Sequence, residues 1–327
     1  MDDRSERGPP VAEGEQELEK RQLTPRRVLA LGIEIALVGY IVYYLWQRRE
    51  DLERVWALSL IDVGGLIALI VVGDVVRSWE FQYLVRRLGA SINYPEAFAL
   101  TEGGTLLNYA PLNAGTVLRA RALRHHRELS YTSYVSLMSA QVLVTALAAG
   151  ILGLAAIALA GDTIGHGRNV FAVACALAIA GPVVAFRISP ALVGEGTWMR
   201  DRVRTLLEGW QQVGRHGSQL LLLIGLALIK LSLQSFRFWI CFAALQMPVS
   251  LLAAVIFASV SSVMIIVNIT PGAVGIRELL VAALGAFTGL SFAETMAAAS
   301  IDRVASLIVA VSLGAPSLGY LRRRNLV

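Results

Sequence analysis

The sequence predicts an all-α integral membrane protein: a polytopic helical bundle of about six spans with two re-entrant broken-helix hairpins arranged as an inverted repeat. Three observations predict it. Of the 327 residues, 56% are apolar and only 16% are charged, with a mean hydropathy of +0.61, which argues against a water-soluble globule. The charges crowd into short stretches separated by apolar runs of about 19 residues, which at roughly 1.5 Å per residue match a hydrocarbon core of about 30 Å. Finally, the chain matches itself at an offset of about 160 residues, a self-similarity that signals duplication.

Residues 1–27 are polar, mix both charge signs and contain Gly8-Pro9-Pro10. Such a composition cannot bury enough apolar surface to offset its ordering entropy, so this stretch reads as a disordered cytoplasmic tail. It is too long and too acidic for a signal-peptide leader. A membrane domain over residues 28–320 follows, then a basic tail over 321–327. The first apolar run, Val28 to Trp46, ends in Tyr40, Tyr43, Tyr44 and Trp46, as an interfacial belt would. A second run covers Trp56 to Val76.

Arg77, Arg86 and Arg87 come next, and four arginines with His125-His126 fill the stretch from Arg119 to Arg127. Between them Pro95 to Leu118 is only half apolar, carries Glu96, Glu102, Asn108 and Asn113, and is interrupted by Gly103-Gly104 and Pro111. It reads as a re-entrant hairpin broken at those points, since irregular backbone survives at membrane depth only under cover of protein or in a wet cavity. Two long runs follow, Tyr131 to Ala160 and Val170 to Phe186; in the first, Ala146/Gly150 and Ala149/Gly153 have the small-xxx-small spacing of close helix contacts. Residues 187–218 are again basic, with an amphipathic surface helix expected over Trp198 to Val213. The last apolar stretches are Gln219 to Leu245, Leu251 to Gly289 with a break at Thr270-Pro271-Gly272, and Met296 to Leu318 before Arg322-Arg323-Arg324. Placing the arginine clusters on the cytoplasmic side of a cell membrane puts both termini there too.

The repeat is carried by Asn108-x-x-Pro111-x-x-x-Gly115, which recurs as Asn268-x-x-Pro271-x-x-x-Gly275. At this composition, proline at +3 and glycine at +7 of a given asparagine has a chance of ~0.003. The match extends to Ser78-Trp79-Glu80-Phe81 against Ser235-Phe236-Arg237-Phe238, and to Leu129-Ser130-Tyr131 against Leu290-Ser291-Phe292. The halves run over about 56–160 and 219–320. An odd number of spans separates the two broken segments, so the second enters from the opposite side, as in transporters that build alternating half-paths around a midplane site.

A proline removes a backbone donor and lets a new helix begin, and Thr270-Pro271 has the pattern of a helix N-cap and first residue. Helix N-termini at membrane depth favour anions. Arg119 and Arg277 lie just after the two breaks, and each can present a planar fork to phosphate. Arg277, Glu278, Asp302 and Arg303 sit in apolar surroundings, where each charge costs roughly 2.5–3.5 kcal/mol on insertion scales and must face protein or a wet cavity. Glu278 with Arg303, or Asp302 with Arg277, also suit structural ion pairs. The other intramembrane charges, Glu34, Asp62, Asp74, Lys230 and Arg237, have no partner legible in the sequence. Candidate head-group residues are therefore Asn108, Pro111, Gly115, Arg119, Asn268, Pro271, Gly275, Arg277, Glu278, Asp302 and Arg303.

No phosphate-binding glycine loop, dinucleotide fingerprint, His-Glu-x-x-His or Gly-x-Ser-x-Gly motif occurs, which leaves nucleotide-driven pumping and common hydrolytic chemistry without support. Neither an enzyme nor a cofactor or metal is expected; the four histidines and Cys175 and Cys241 lack ligand spacing. The arginine stripe beside a membrane segment suits anionic lipid, not nucleic acid.

Leu107-Asn108-Tyr109-Ala110-Pro111-Leu112-Asn113-Ala114-Gly115, Pro271-Gly272-Ala273-Val274-Gly275-Ile276-Arg277-Glu278 and Asp302-Arg303 together resemble the flippase-like lysylphosphatidylglycerol synthase transmembrane-region family. The resemblance covers about residues 28 to 320. It implies a lipid-translocating unit and carries functional weight onto Pro271, Gly275, Arg277, Glu278 and Arg303; alanine at 273 stands where a glycine would be expected. The chain ends at Val327 after the last helix, so the aminoacyl-transfer domain of the best-known members, and with it aminoacyl-lipid synthesis, is not expected. The implied partner is an anionic phospholipid or polyprenyl-phosphate-linked lipid, with a homo-oligomer or lipid-assembly enzymes as protein partners. Two alternatives stand beside translocation: an intramembrane enzyme subunit using Glu278 or Asp302 as acid or base, and a scaffold of a lipid or glycan assembly complex.

Overall fold

The computed structural model describes residues 59–109, 114–127, 129–161, 167–188, 217–264 and 276–324, with single positions between 200 and 211 and residue 326. The N-terminal tail, the run Val28 to Trp46 with Glu34, most of the expected surface helix, and Pro111, Asn268, Pro271 and Gly275 lie outside the described residues.

Within the described residues the chain is helical without strands. The helices are α1 (Leu60–Arg87), α2 (Tyr94–Asn108), α3 (Ala114–Arg127), α4 (Tyr131–Ala160), α5 (Arg168–Arg187), α6 (Gly217–Ala244), α7 (Leu251–Met264), α8 (Ile276–Phe287) and α9 (Phe292–Arg323). Four of them, α4, α5, α6 and α9, are long and apolar enough to cross a membrane. The chain is a multi-pass membrane protein. Side chains such as Val173, Leu177, Leu221 and Ile308 point out of the bundle, where lipid is their natural solvent.

Local signals fix the helix starts. Ser59 caps α1 in a capping box: its hydroxyl accepts the Asp62 N–H at 3.1 Å while the Asp62 carboxylate accepts the Ser59 N–H at 3.3 Å. Asp62 is thus a helix cap. Asn93 caps α2 through the Glu96 N–H at 2.9 Å, and Ser130 caps α4 through the Ser133 N–H at 3.0 Å.

Two boundaries differ from those the sequence suggests. Helix α1 does not stop near Val76 but continues to Arg87, where the half-buried Arg77 has acidic partners in Asp74 and Glu102. Helix α2 runs unbroken through Gly103-Gly104 to Asn108. Those glycines serve contact: a Cβ at 103 would lie 2.9 Å from Leu318, and one at 104 would strike the Arg119 guanidinium.

Long-range packing follows a regular scheme. Helix α1 packs on α2 as α6 packs on α7; α2 lies against α9 as α7 lies against α4; α1 and α6 pack on each other. Gly65 faces Ile240, Gly73 faces Leu233 and Glu80 bonds Lys230, so α1 and α6 run antiparallel. The small residues of α4 do what their spacing implies: a Cβ at Gly150 would sit 2.6 Å from the Cys175 carbonyl, and one at Gly153 would meet the Cys175 sulfur. Both cysteines are buried and free. Trp210, in the stretch expected at the surface, is buried and donates to the Pro182 carbonyl at 2.9 Å.

Candidate functional site

Helix α2 has 15 residues, short of the roughly 20 needed to span a bilayer, and α3, α7 and α8 are described over 14, 14 and 12 residues. The charged interior residues gather around them. Asp74 and Arg77 fall three residues apart on one face of α1, and the Arg77 guanidinium reaches Asp74 at 2.8 Å and Glu102 of α2 at 3.1 Å. Glu102 is fully buried. Arg119 of α3 lies over Gly104 and in the electrostatic field of Tyr134 of α4, Arg77 and Glu102. Two arginines and two carboxylates balance in this group.

Helices α2 and α3 touch backbone to backbone at Gly104 and Gly115, where any Cβ on residue 115 would collide with the Gly104 carbonyl. Asn108 is engaged locally: its side-chain oxygen accepts the Thr116 N–H at 3.2 Å. It therefore occupies one of the unpaired donors at the start of α3 that a ligand would otherwise use.

The second group is built on α6, α8 and α9. Asp302, 1% exposed, receives Arg237 at 2.6 Å and Arg277 at 3.1 Å. Arg237 also donates to the Ser306 hydroxyl at 2.6 Å. Their chain neighbours Arg303 and Glu278 pair with each other at 3.7 Å. Arg277 packs over the Phe238 ring at 5.3 Å, and Arg303 over Tyr109 at 4.8 Å. Both ion pairs suggested by the sequence are present. Among the described residues, three arginines face two carboxylates here, leaving one positive charge in excess.

Tyr109, just past the end of α2, ties the groups together, since it stacks under Arg303 and is an electrostatic neighbour of Arg77. Of the eleven residues singled out from sequence, Arg277, Glu278, Asp302 and Arg303 form one cluster, while Asn108, Gly115 and Arg119 form the α2/α3 contact. The family model for the lysylphosphatidylglycerol synthase TM region matches residues 29–314. The chain belongs to this family. No curated protein and no solved structure matches it. The match covers both charge groups, and a membrane domain of this family is linked to lipid handling.

Sequence reasoning missed Arg77, Glu102 and Tyr109 as site residues and left Arg237 without a partner. The three-residue spacing of Asp74 and Arg77 was the available signal for the first. For Arg237 the signal was its alignment with Glu80, another buried charge. Nothing in the sequence announces that Tyr109 meets Arg303, a contact between α2 and α9.

Proposed function

We propose that this protein moves an anionic lipid or lipid-linked intermediate between leaflets, its head group passing along the polar interior while the tails stay in lipid. The observation that carries this reading is the buried α6/α8/α9 cluster, in which three arginines meet two carboxylates among the described residues. Charges at membrane depth are costly, and this cluster gathers five of them. Arg277, which leaves its Nε buried without a hydrogen-bond partner, is the residue best placed to take a phosphate oxygen.

The helix arrangement supports an inverted repeat with two re-entrant hairpins. Glu96 at the start of α2 and Arg127 at the end of α3 form an ion pair at 2.8 Å, so this hairpin begins and ends at the same level of the molecule. Paired contacts recur at the offset of about 160 residues: Arg77 with Glu102 matches Gln234 with Ser262, and Gln141 on Glu80 matches Asp302 on Arg237. The antiparallel α1/α6 contact is the relation an in-plane two-fold axis imposes on equivalent helices. Among the described residues the two groups differ in charge, the first pairing two arginines with two carboxylates and the second three arginines with two, which favours the second as the phosphate site. Clustering of Arg86, Arg87, Arg124, Arg127 and Arg322 at chain segments joined by the α1/α2, α3 and α9 ends fits a cytoplasmic face.

Glu278 and Asp302 each face a guanidinium, which supports charge placement over acid-base chemistry and hence a protein that is not an enzyme. Reconstitution with labelled phospholipid or polyprenyl-phosphate glycolipid tests the proposal. Exchange above that of empty liposomes is expected for at least one such lipid; none for any of them would defeat it.

A further inference from the structure

Tyr109 is the first residue past α2, and its place is fixed from two sides. Its N–H donates to the Leu106 carbonyl at 3.1 Å, so the backbone still follows the helix. Helix α2 also lies close against α9: a Cβ on Gly314 would stand 2.6 Å from the Leu106 side chain and 2.9 Å from the Glu102 carbonyl. The ring is therefore rooted in a tight contact between helices.

Arg303 of α9 lies over that ring at 4.8 Å. Two consecutive rungs join α8 to α9, Arg277 meeting Asp302 at 3.1 Å and Glu278 meeting Arg303 at 3.7 Å. Each helix thus contributes one guanidinium and one carboxylate, and the two arginines stand on neighbouring rungs. A separation of 3.7 Å is an ion-pair distance, longer than a hydrogen bond, so the Glu278 contact supplies charge more than direction. A ring face supplies direction: it holds a planar guanidinium by its quadrupole, takes none of its N–H donors and cancels none of its charge. Another carboxylate in its place would neutralise the cation. Arg277 has the same backing, over Phe238 at 5.3 Å, whereas the third arginine, Arg237, is held by Asp302 and the Ser306 hydroxyl. The aromatic rings thus single out Arg277 and Arg303 as cations fixed in place with their charge kept for an anion, and the ring under Arg303 comes from the other half of the chain.

We propose that Tyr109 is a positioning residue of the head-group site: its ring holds the Arg303 guanidinium beside Arg277, so that a lipid phosphate meets two arginines; this rests on the lipid-transport reading above.

The test uses the full chain, in nonionic micelles for binding and in liposomes for exchange, at equal folded protein. Binding of phosphatidylglycerol and, separately, of a polyprenyl phosphate is titrated by native mass spectrometry, and exchange is measured against the mole fraction of the same lipid. Tyr109→Phe, which keeps the ring, is expected to bind within about twofold of the wild type. Tyr109→Leu is expected to bind about tenfold more weakly, the size of a desolvated cation–ring contact, and to raise the half-saturating lipid fraction with little change in maximal rate. Arg303→Ala is expected to weaken binding at least as much, and adding Tyr109→Leu to it to change nothing further, since the ring acts through that arginine. Tyr109→Met, a second ringless side chain, replaces Tyr109→Leu if that variant does not fold. A residue that only packs α2 on α9 would give a loss that persists on the Arg303→Ala background, or a lower maximal rate at unchanged binding, and either result overturns the proposal. So does Tyr109→Phe weakened as much as Tyr109→Leu, Arg303→Ala that binds like the wild type, or wild-type protein that binds neither lipid. Loss of binding coupled to Arg303, with no exchange by the wild type, upholds the positioning role and defeats the transport reading. Wild-type binding and exchange in Tyr109→Leu do the reverse, so the two fail separately.

Discussion

Asp302 is the residue on which the second charge group turns. It separates Arg237 from Arg277, at 2.6 and 3.1 Å. Removing one partner of a buried pair costs about 3–5 kcal/mol, because the remaining charge stays desolvated. Asp302→Ala is therefore expected to destabilise the folded protein by that order, read as a lowered midpoint in a denaturant titration in micelles. Replacement by asparagine, which still accepts from one arginine, is expected to cost less. Arg237 and Arg277 do not contribute alike. Arg237 is anchored twice, on Asp302 and Ser306, whereas Arg277 makes a single, longer contact with Asp302. Arg237→Ala should depress stability, and Arg277→Ala should leave it nearly unchanged while weakening lipid exchange; comparing the midpoints with the exchange rates checks the division.

At the scale of elements, close approach decides which helices meet. The α2/α3 hairpin closes only because residues 104 and 115 lack a Cβ. Gly115→Val is expected to push the hairpin open and free Asn108 from the Thr116 N–H, exposing residues 104–109 and 114–116 to faster amide hydrogen exchange; an unchanged exchange pattern would contradict this. The α4/α5 contact obeys the same rule, and Gly150→Leu is expected to disrupt it by overpacking, at a cost of about 1–3 kcal/mol or more. The positions of most described helices were legible from apolar runs, since burial in lipid needs long unbroken hydrophobicity. The end of α1 was not. Arg77 looks like a loop residue in sequence, and only the pairing with Glu102, 25 residues away, explains why a charged turn stays helical. Gly103-Gly104 misled for a related reason: glycine marks either a break or a contact, and the neighbour that distinguishes them comes from another helix.

For the whole molecule, the self-match in proline, glycine and asparagine spacing is a property of the sequence, and the proposed repeat rests on it. The charge of each group was not legible, since it depends on which acids reach which arginines across helices far apart in the chain. Residues 277, 278, 302 and 303 were found from their cost at membrane depth, a property of composition alone. Their grouping with Arg237 and Tyr109 required three dimensions. In the proposed cycle the arginines beside α8 attract the lipid phosphate, and the outward apolar faces leave the tails in lipid. Lipid exchange by liposomes carrying wild-type protein or Arg277→Ala tests this most directly. A charged hydrogen bond is worth about 1.5–3 kcal/mol, so the variant is predicted to lose about tenfold or more of the exchange activity at equal folded protein. Exchange at the wild-type rate with residue 277 uncharged would contradict a phosphate site at this arginine.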